Sequence, residues 1–544
     1  MWILLLVVIA AWGQGVPSPE LCRVEGVVRN AVTGAPLGKA KVRLGPPWGS
    51  NPNSILQAST DGEGHFVMQD VKAGVYHLWA EKVGFVRAEY SAAGAGRPGS
   101  LLSLEKGKRV SDLEFRLQPH GVIAGRVVDE DGEPLVSAMV QALVLRQGRG
   151  TQELEVAGSA VANDLGEYRI YGILPGRYYL AVNHSTAVLR SVIGGFARIE
   201  RTADTGEYPI TYYPGTPVWS GAKAVRVTAG SPLQGMDIQL RKMATFRIRG
   251  RVSGVSTREG GGQLEVQPQE DAAVRALVRR IETWKAPDGD FEVSGLLPGT
   301  YIVSARHWDP LQAKHLMGRE VVVITRRDAE GVTLTLGRGA PVRGRVRTEE
   351  GVALGWQSLL VMFHPREAAA GQSYIYASVK KDAEFEIPEA GIDHYSISVS
   401  GMPEGFFVKG VRVGEVDVLR DGLRVVGSPV EGLDVVLSSK GAEVSGVAVN
   451  TDGKPAARTT VLLHPQFGGA GRRSDLQRTV ETGADGKFRF RGVTPGEYRL
   501  YAFGADGPDI GDIDALEEYS AEAEHLRLKE SDRVERTVSV RSSR

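Results

Sequence analysis

The segment "HPRE", His364 to Glu367, sets a histidine and a glutamate three positions apart, and His464 follows 100 residues after His364. Two imidazoles and a carboxylate can hold zinc and leave one coordination position for an activated water, as a metal-dependent hydrolase requires. The surrounding text argues otherwise. "LLVMFHPRE" and "VLLHPQF" are one phrase written twice, so the two histidines recur because a unit recurs, and they fall in different units. No zinc site is expected there.

Other reactive types fare no better. No Gly-x-Ser-x-Gly elbow stands at a strand-to-helix pattern. Cys22 is the single cysteine, which leaves no internal disulfide and reads as an inert thiol. "DEDGEP", Asp129 to Pro134, opens like a calcium loop but lacks the glutamate that closes one, so it reads as a hairpin turn. "GAGRPG" (Gly94 to Gly99) and "GGAGRR" (Gly468 to Arg473) have no Lys-Ser/Thr of a phosphate-binding loop. No catalytic residue, metal ligand or cofactor is assigned, and the chain is expected not to be an enzyme.

Binding is a different matter, because sugar rings stack on exposed aromatic faces. The candidates are Trp48 in "GPPWGSN", Tyr212, Tyr213 and Trp219 in and after "ITYYPGTP", Trp308 in "ARHWDP", and Tyr374 with Tyr376 in "SYIYAS". Tyr374 and Tyr376 alternate so as to share a strand face. The Tyr212–Tyr213 pair ranks first, since its segment lies outside the strand pattern of its unit, where a scaffold usually displays function. The bland reading of each is packing against its own domain. The acidic run Asp506 to Glu524 reads as a solvated loop with a short helix, with a metal-seeking loop or a partner surface as the alternatives.

The elements that would position these residues come from a repeat. A lead phrase recurs as "VEGVVRNAVTGAPLGKAKVRL" (from Val24), "IAGRVVDEDGEPLVSAMVQAL" (Ile123) and "VSGVAVNTDGKPAARTTVLLH" (Val444), and more weakly from Ile248 and Val342. A second phrase follows each lead phrase: "GHFVMQDVKAGVYHLWA", "GEYRIYGILPGRYYLAV", "GDFEVSGLLPGTYIVSA" and "GKFRFRGVTPGEYRLYAF", with a degenerate "AEFEIPEAGIDHYSISVS" whose glycine is Gly391. Phe488 and Phe490 alternate with Lys487, Arg489 and Arg491, and Tyr498, Leu500 and Ala502 alternate with Arg499 and Tyr501. Period two with one apolar face is a half-buried strand. Pro followed by Gly suits the centre of a type II turn, so each second phrase predicts a tight antiparallel hairpin. Turn signals every 8 to 12 residues and about seven strands per unit predict β-sandwiches. The expected division is 22–118, 120–242 with an insert around 185–220, 245–337, 341–438, and 442–544 with an acidic insert around 506–524. Short joints such as "LRKMATFRIRG" predict a semi-rigid rod or arc.

Bulk properties agree. Lys+Arg and Asp+Glu balance at 65 each in 544 residues, and no stretch carries the basic surplus of a nucleic-acid binder. The 68 glycines are spread along the chain, as many turns require. "MWILLLVVIAAWGQG" is an apolar run too short to span a bilayer, which takes about 20 residues, and reads as a signal peptide over 1–15 even though no Lys or Arg precedes it. Pro19-Glu20-Leu21 lacks the small residue that lipidation of Cys22 wants, so the expected product is secreted, extracellular or periplasmic, with no stable membrane span.

The lead phrases and the phrase "DGKFRFRGVTPGEYRLYA" resemble the carboxypeptidase regulatory-like domain, and "ITYYPGTP" resembles an insert of secreted bacterial members. The resemblance implies an all-β chain, a tandem array of about five Greek-key β-sandwich domains of transthyretin-like or starch-binding-like, carbohydrate-binding-like fold, without catalysis. The resulting expectation is a structural, adhesive or scaffolding surface protein. The alternatives are a carbohydrate-binding protein using the named aromatics and an accessory subunit of a peptidase. A polysaccharide or a cell-surface protein is the expected partner.

Overall fold

The structure is a computed structural model. It describes residues 21–544 except 48–54, 93, 97, 148–151, 185–187, 194–195, 201–207, 256–260, 270–271, 286–287, 310–313, 367–373, 467–475, 505–506, 509, 512 and 542–544. The expected signal peptide, Trp48 and Glu367 therefore lie outside the described residues.

The chain is a tandem array of β-sandwiches. Five hydrophobic cores follow one another along it, centred on Val24 and Phe66, on Ile123 and Tyr168, on Ile248 and Trp284, on Val342 and Phe385, and on Val444 and Phe488. They are called modules one to five below. By compactness the chain divides into two units, Met1–His120 with module one and Gly121–Arg544 with modules two to five.

Each module obeys one strand grammar. In module one the lead strand Cys22–Asn30 lies between His65–Val71, antiparallel, and Arg109–Leu117, parallel. The strand that ends the lead phrase, Lys41–Gly45, pairs with Leu56–Ser59 and Gly74–Glu81 in the opposite sheet. Module five repeats these pairings with Ala442–Val449 between Lys487–Val493 and Arg533–Arg541, and with Thr460–Pro465 pairing Gly496–Phe503; there Ala502 and Phe503 also pair with Val540 and Arg541, so the two faces join at one edge. The hairpin expected of the Pro-Gly phrase is corrected here. Lys487–Val493 and Gly496–Phe503 do not pair with each other; they belong to opposite faces of the sandwich, and Pro495-Gly496 is the corner between them. Alternation reports which face of a strand is buried but not which strand lies beside it, so local text could not separate a hairpin from an arch.

The corner's chemistry also differs from a type II turn. Positive φ falls four residues before the corner glycine, at Asp70 (57°), Gly172 (79°), Gly295 (76°) and Gly492 (64°), while Gly74, Gly176 and Gly299 do not adopt it and Gly496 stands at 156°, far from the roughly 80° of a type II turn. The corner is fastened by a tyrosine that donates to the carbonyl four residues upstream. The pairs are Tyr76 to Lys72 (2.9 Å), Tyr178 to Leu174 (2.6 Å), Tyr301 to Leu297 (2.9 Å), Tyr395 to Gly391 (2.9 Å) and Tyr498 to Thr494 (2.8 Å). In module four this register puts Asp393, not Gly391, at the corner-glycine position, two residues before the tyrosine.

The glycine in the lead strand has a separate and stricter reason. A Cβ on Gly26, Gly125, Gly250, Gly344 or Gly446 would lie 1.7 to 2.2 Å from a carbonyl oxygen of the closing segment that runs beside it. Real Cβ atoms do not approach so closely, and the obstacle is backbone, which cannot rotate away.

Modules two to five touch in a cycle. Leu143, Leu145, Leu154, Ala181 and Tyr212 of module two form one apolar cluster with Ala273 and Val274 of module three. Arg319 of module three meets buried Asp393 of module four at 3.0 Å. Lys409 of module four bridges Glu349 of its own module and Glu530 of module five, and Arg491 of module five reaches Glu404 of module four at 3.0 Å. Glu518 of module five then contacts Arg177 and Arg226 of module two. Of the shapes expected from the short joints, a straight rod does not describe this unit, because it would leave modules two and five apart.

Candidate functional site

The aromatics singled out in the sequence separate into packed and open. Tyr212 is 2 % exposed. Its ring meets Trp219 edge-on at 5.5 Å, and Trp219 in turn lies 4.6 Å from Tyr179. This cluster is the apolar joint to module three, so the insert that looked like a display is the surface on which Ala273 and Val274 rest. Tyr213 packs partly buried against the core of module two. Neither the Tyr212 ring nor the joint it belongs to offers a free face to a ligand. Trp308, 50 % exposed, leans on His315 at 4.6 Å at the end of its strand.

Tyr374 and Tyr376 are the aromatics that the structure brings together in the open, at 42 % and 58 % exposure. They stand in and next to the strand Ile375–Ser378, which pairs with Leu360–Pro365, itself paired with Asp393–Ser400. Register sets Tyr376, Met362 and Ser398 in one row across the sheet. Tyr374 lies 5.8 Å from the ring of His364, whose strand partner is Ser396. His364 Nε2 is 2.9 Å from Ser398 Oγ, and Arg366 Nε donates to Ser396 Oγ at 2.7 Å. The outer face of module four thus carries two tyrosines, an imidazole and serine hydroxyls. The tyrosine rings are 6.4 Å apart and tilted by 43°, so they do not form one flat stacking plane.

Sequence reasoning named Tyr374 and Tyr376 but attached His364 to a zinc hypothesis. His364 and His464 occupy the same position in modules four and five, and His464 Nδ1 lies 3.0 Å from Gln477 Oε1 in its own module. Among the described residues, no group of three or more His, Cys, Asp or Glu side chains could hold a metal ion. Cys22 is buried, its thiol donating to the Glu105 carbonyl at 2.9 Å. No helix among the described residues is long and apolar enough to cross a membrane.

At the joint between modules three and four, burial holds the Asp393 carboxyl above its ordinary value although Arg319 pulls the other way. Burial likewise holds the neighbouring His394 below its ordinary value. Asp393 is a residue that sequence reasoning missed. The signal was present: it interrupts the glycine pattern at the corner of the degenerate fourth phrase.

No family model matches the chain, and no curated protein matches it. Among solved structures it is similar to the Bacillus anthracis TIE protein at 13% identity, over 58% of this chain and 51% of that one, with a TM-score of 0.17. The chain thus spans about half the length of that protein. A Streptococcal ancillary pilin matches at 13% identity over 55% of this chain and 99% of the pilin, TM-score 0.20. GBS52, the minor pilin of Streptococcus agalactiae, matches at 14% identity over 41% and 96%, TM-score 0.22. Overlaps this shallow leave the function to rest on the chain's own geometry.

Proposed function

We propose that the protein is an exported, non-catalytic structural or adhesive component whose β-sandwich modules act as spacers and contact sites. The observation that carries the reading is the fate of the repeated signature residues. Lead-strand glycines, corner tyrosines and the insert residues Tyr212 and Trp219 are all consumed by packing within or between modules. Among the described residues, the aromatics that stand together in the open are Tyr374 and Tyr376 on the outer face of module four. The repeated phrases resemble the carboxypeptidase regulatory-like domain, a non-catalytic module, and this supports the same reading. The divisions at 22–118, 120–242, 245–337, 341–438 and 442–544 serve as its working modules. Export rests on the apolar run at 1–15.

Carbohydrate binding is the second reading, favoured by the openness of Tyr374 and Tyr376 beside serine hydroxyls. The tilt between the rings favours a protein contact over a stacked sugar. Affinity electrophoresis of the chain from Leu21 onward, through gels cast with neutral and acidic polysaccharides, separates the two. The structural reading expects unchanged migration on every gel. Retardation by one polymer that disappears in Tyr374→Ala/Tyr376→Ala would replace it with the carbohydrate reading.

A further inference from the structure

The closing contact of the second unit differs in kind from the junctions on either side of module three. Arg177, in the strand Gly176–Asn183, and Arg226, in Val225–Val227, are direct cross-strand partners in module two. Two like charges directly opposite each other repel and disfavour their own pairing. Glu518 resolves this with one oxygen for each guanidinium: Oε1 lies 3.4 Å from Arg177 Nη1 and Oε2 lies 3.0 Å from Arg226 Nη1. The module-two arginines thus receive one carboxylate between them, and that carboxylate lies 341 residues beyond Arg177 in the chain.

Glu518 ends the short helix Ile513–Glu518 inside the acidic insert of module five. That insert is anchored to its own module. Leu516 and Tyr519 are buried against Leu462, Tyr501 and Phe503, with Tyr519 edge-on to Phe503 at 5.4 Å. The adjacent Glu517 bonds Arg499 of module five at 2.9 Å. Consecutive glutamates therefore face two modules, one holding the insert to its base and one reaching across.

We propose that the acidic insert is an electrostatic latch that closes modules two to five into a cycle and opens with rising ionic strength. The junction of modules two and three is a buried apolar cluster, that of modules three and four holds a buried ion pair, and at that of modules four and five the Gly405 backbone packs against Gly441 and Gly492 beside exposed ion pairs. Salt screens the cluster, the buried pair and the backbone packing little. The latch joins groups that solvent reaches in part, the Glu518, Arg177 and Arg226 side chains being 22%, 34% and 52% exposed. Charges in that setting are screened strongly once the Debye length falls from about 10 Å at 0.1 M salt to about 3 Å at 1 M. Because the other junctions keep the two ends near each other, closure at low salt is intramolecular and needs only a weak contact.

Small-angle scattering of the full chain at low and at 1 M sodium chloride tests the latch. The wild type is expected to shift to a larger radius of gyration at 1 M. Glu518→Arg is expected to show that larger value at both salt concentrations, and Glu518→Gln, which keeps the shape and removes the charge, should shift the same way. Combining Glu518→Arg with Arg177→Glu and Arg226→Glu should restore the compact low-salt value, which also shows that the reversed carrier still folds. Superimposable low-salt curves for wild type, Glu518→Gln and Glu518→Arg overturn the proposal, as does a charge-swapped chain that stays expanded.

Discussion

Replacing Gly26 by alanine tests the reason given for the glycine of the lead strand. A Cβ there would stand 2.1 Å from the Leu113 carbonyl oxygen and 2.7 Å from Leu113 Cβ. To reach an ordinary contact of 3.4 Å, the strand Arg109–Leu117 must withdraw by about 1.3 Å, the difference between 3.4 Å and 2.1 Å. That movement strains the parallel ladder that joins it to Cys22–Asn30. Overpacking costs roughly 1–3 kcal/mol, and each weakened ladder bond adds about 0.5–1.5 kcal/mol. Alanine returns only about 0.4–1 kcal/mol by restricting the unfolded chain. A net loss of about 3 kcal/mol follows, which lowers the melting temperature of a domain this size by roughly 10–20 °C. Gly62 of the same module is the control. Nothing lies within 4 Å of a Cβ built there, and its φ is not positive, so Gly62→Ala should leave the transition in place or raise it slightly. Differential scanning calorimetry of the full chain reads both, with the transitions of the other modules as internal standards. If Gly26→Ala and Gly62→Ala melt alike, the closing carbonyl is not what demands glycine.

Further outcomes are expected from the same reasoning. Tyr498→Phe removes the buried hydroxyl that donates to the Thr494 carbonyl at 2.8 Å, and denaturant unfolding should show a loss of about 1–2 kcal/mol in module five. Tyr171→Phe, at a side chain 73% exposed, should change nothing. The Asp393 carboxyl is raised by burial, so its protonated form favours the folded state. That contribution is complete below the unfolded value, near pH 4, and is lost as pH rises through the folded value. Asp393→Asn, which mimics the protonated form, should therefore melt level with the wild type near pH 4 and gain on it as pH rises towards 7. A wild type that gains on the asparagine variant over that interval would mean that Arg319 outweighs the burial.

The alternation in each phrase identified its buried residues correctly: Phe488, Phe490, Tyr498, Leu500 and Ala502 all lie in the core of module five. That much is local, because a pleated strand facing one core must alternate. Tyr501 sits on the opposite face of its strand and is buried as well, since Leu516 and Tyr519 of the acidic insert cover it. No periodicity could report a cover supplied by a loop. The tyrosine two residues after the corner position was visible in every phrase, but its purpose depends on a turn geometry that the Pro-Gly text of the other phrases suggested wrongly. Strand partners were not legible either: Gly26 meets Leu113 and Val24 meets Val110 across most of a module, and such pairings are fixed by how two sheets close, not by neighbouring residues. The same holds one level higher. The sequence determined the number and kind of the modules through its repeat, because each copy must bury the same faces. Only the tertiary structure decided that Tyr212 joins modules two and three, that Asp393 replaces a corner glycine to meet Arg319, and that Glu518 reaches back to module two. Contacts between modules arise from inserts and from a substitution against the repeat, and their partners lie too far away in the chain for any local pattern to name.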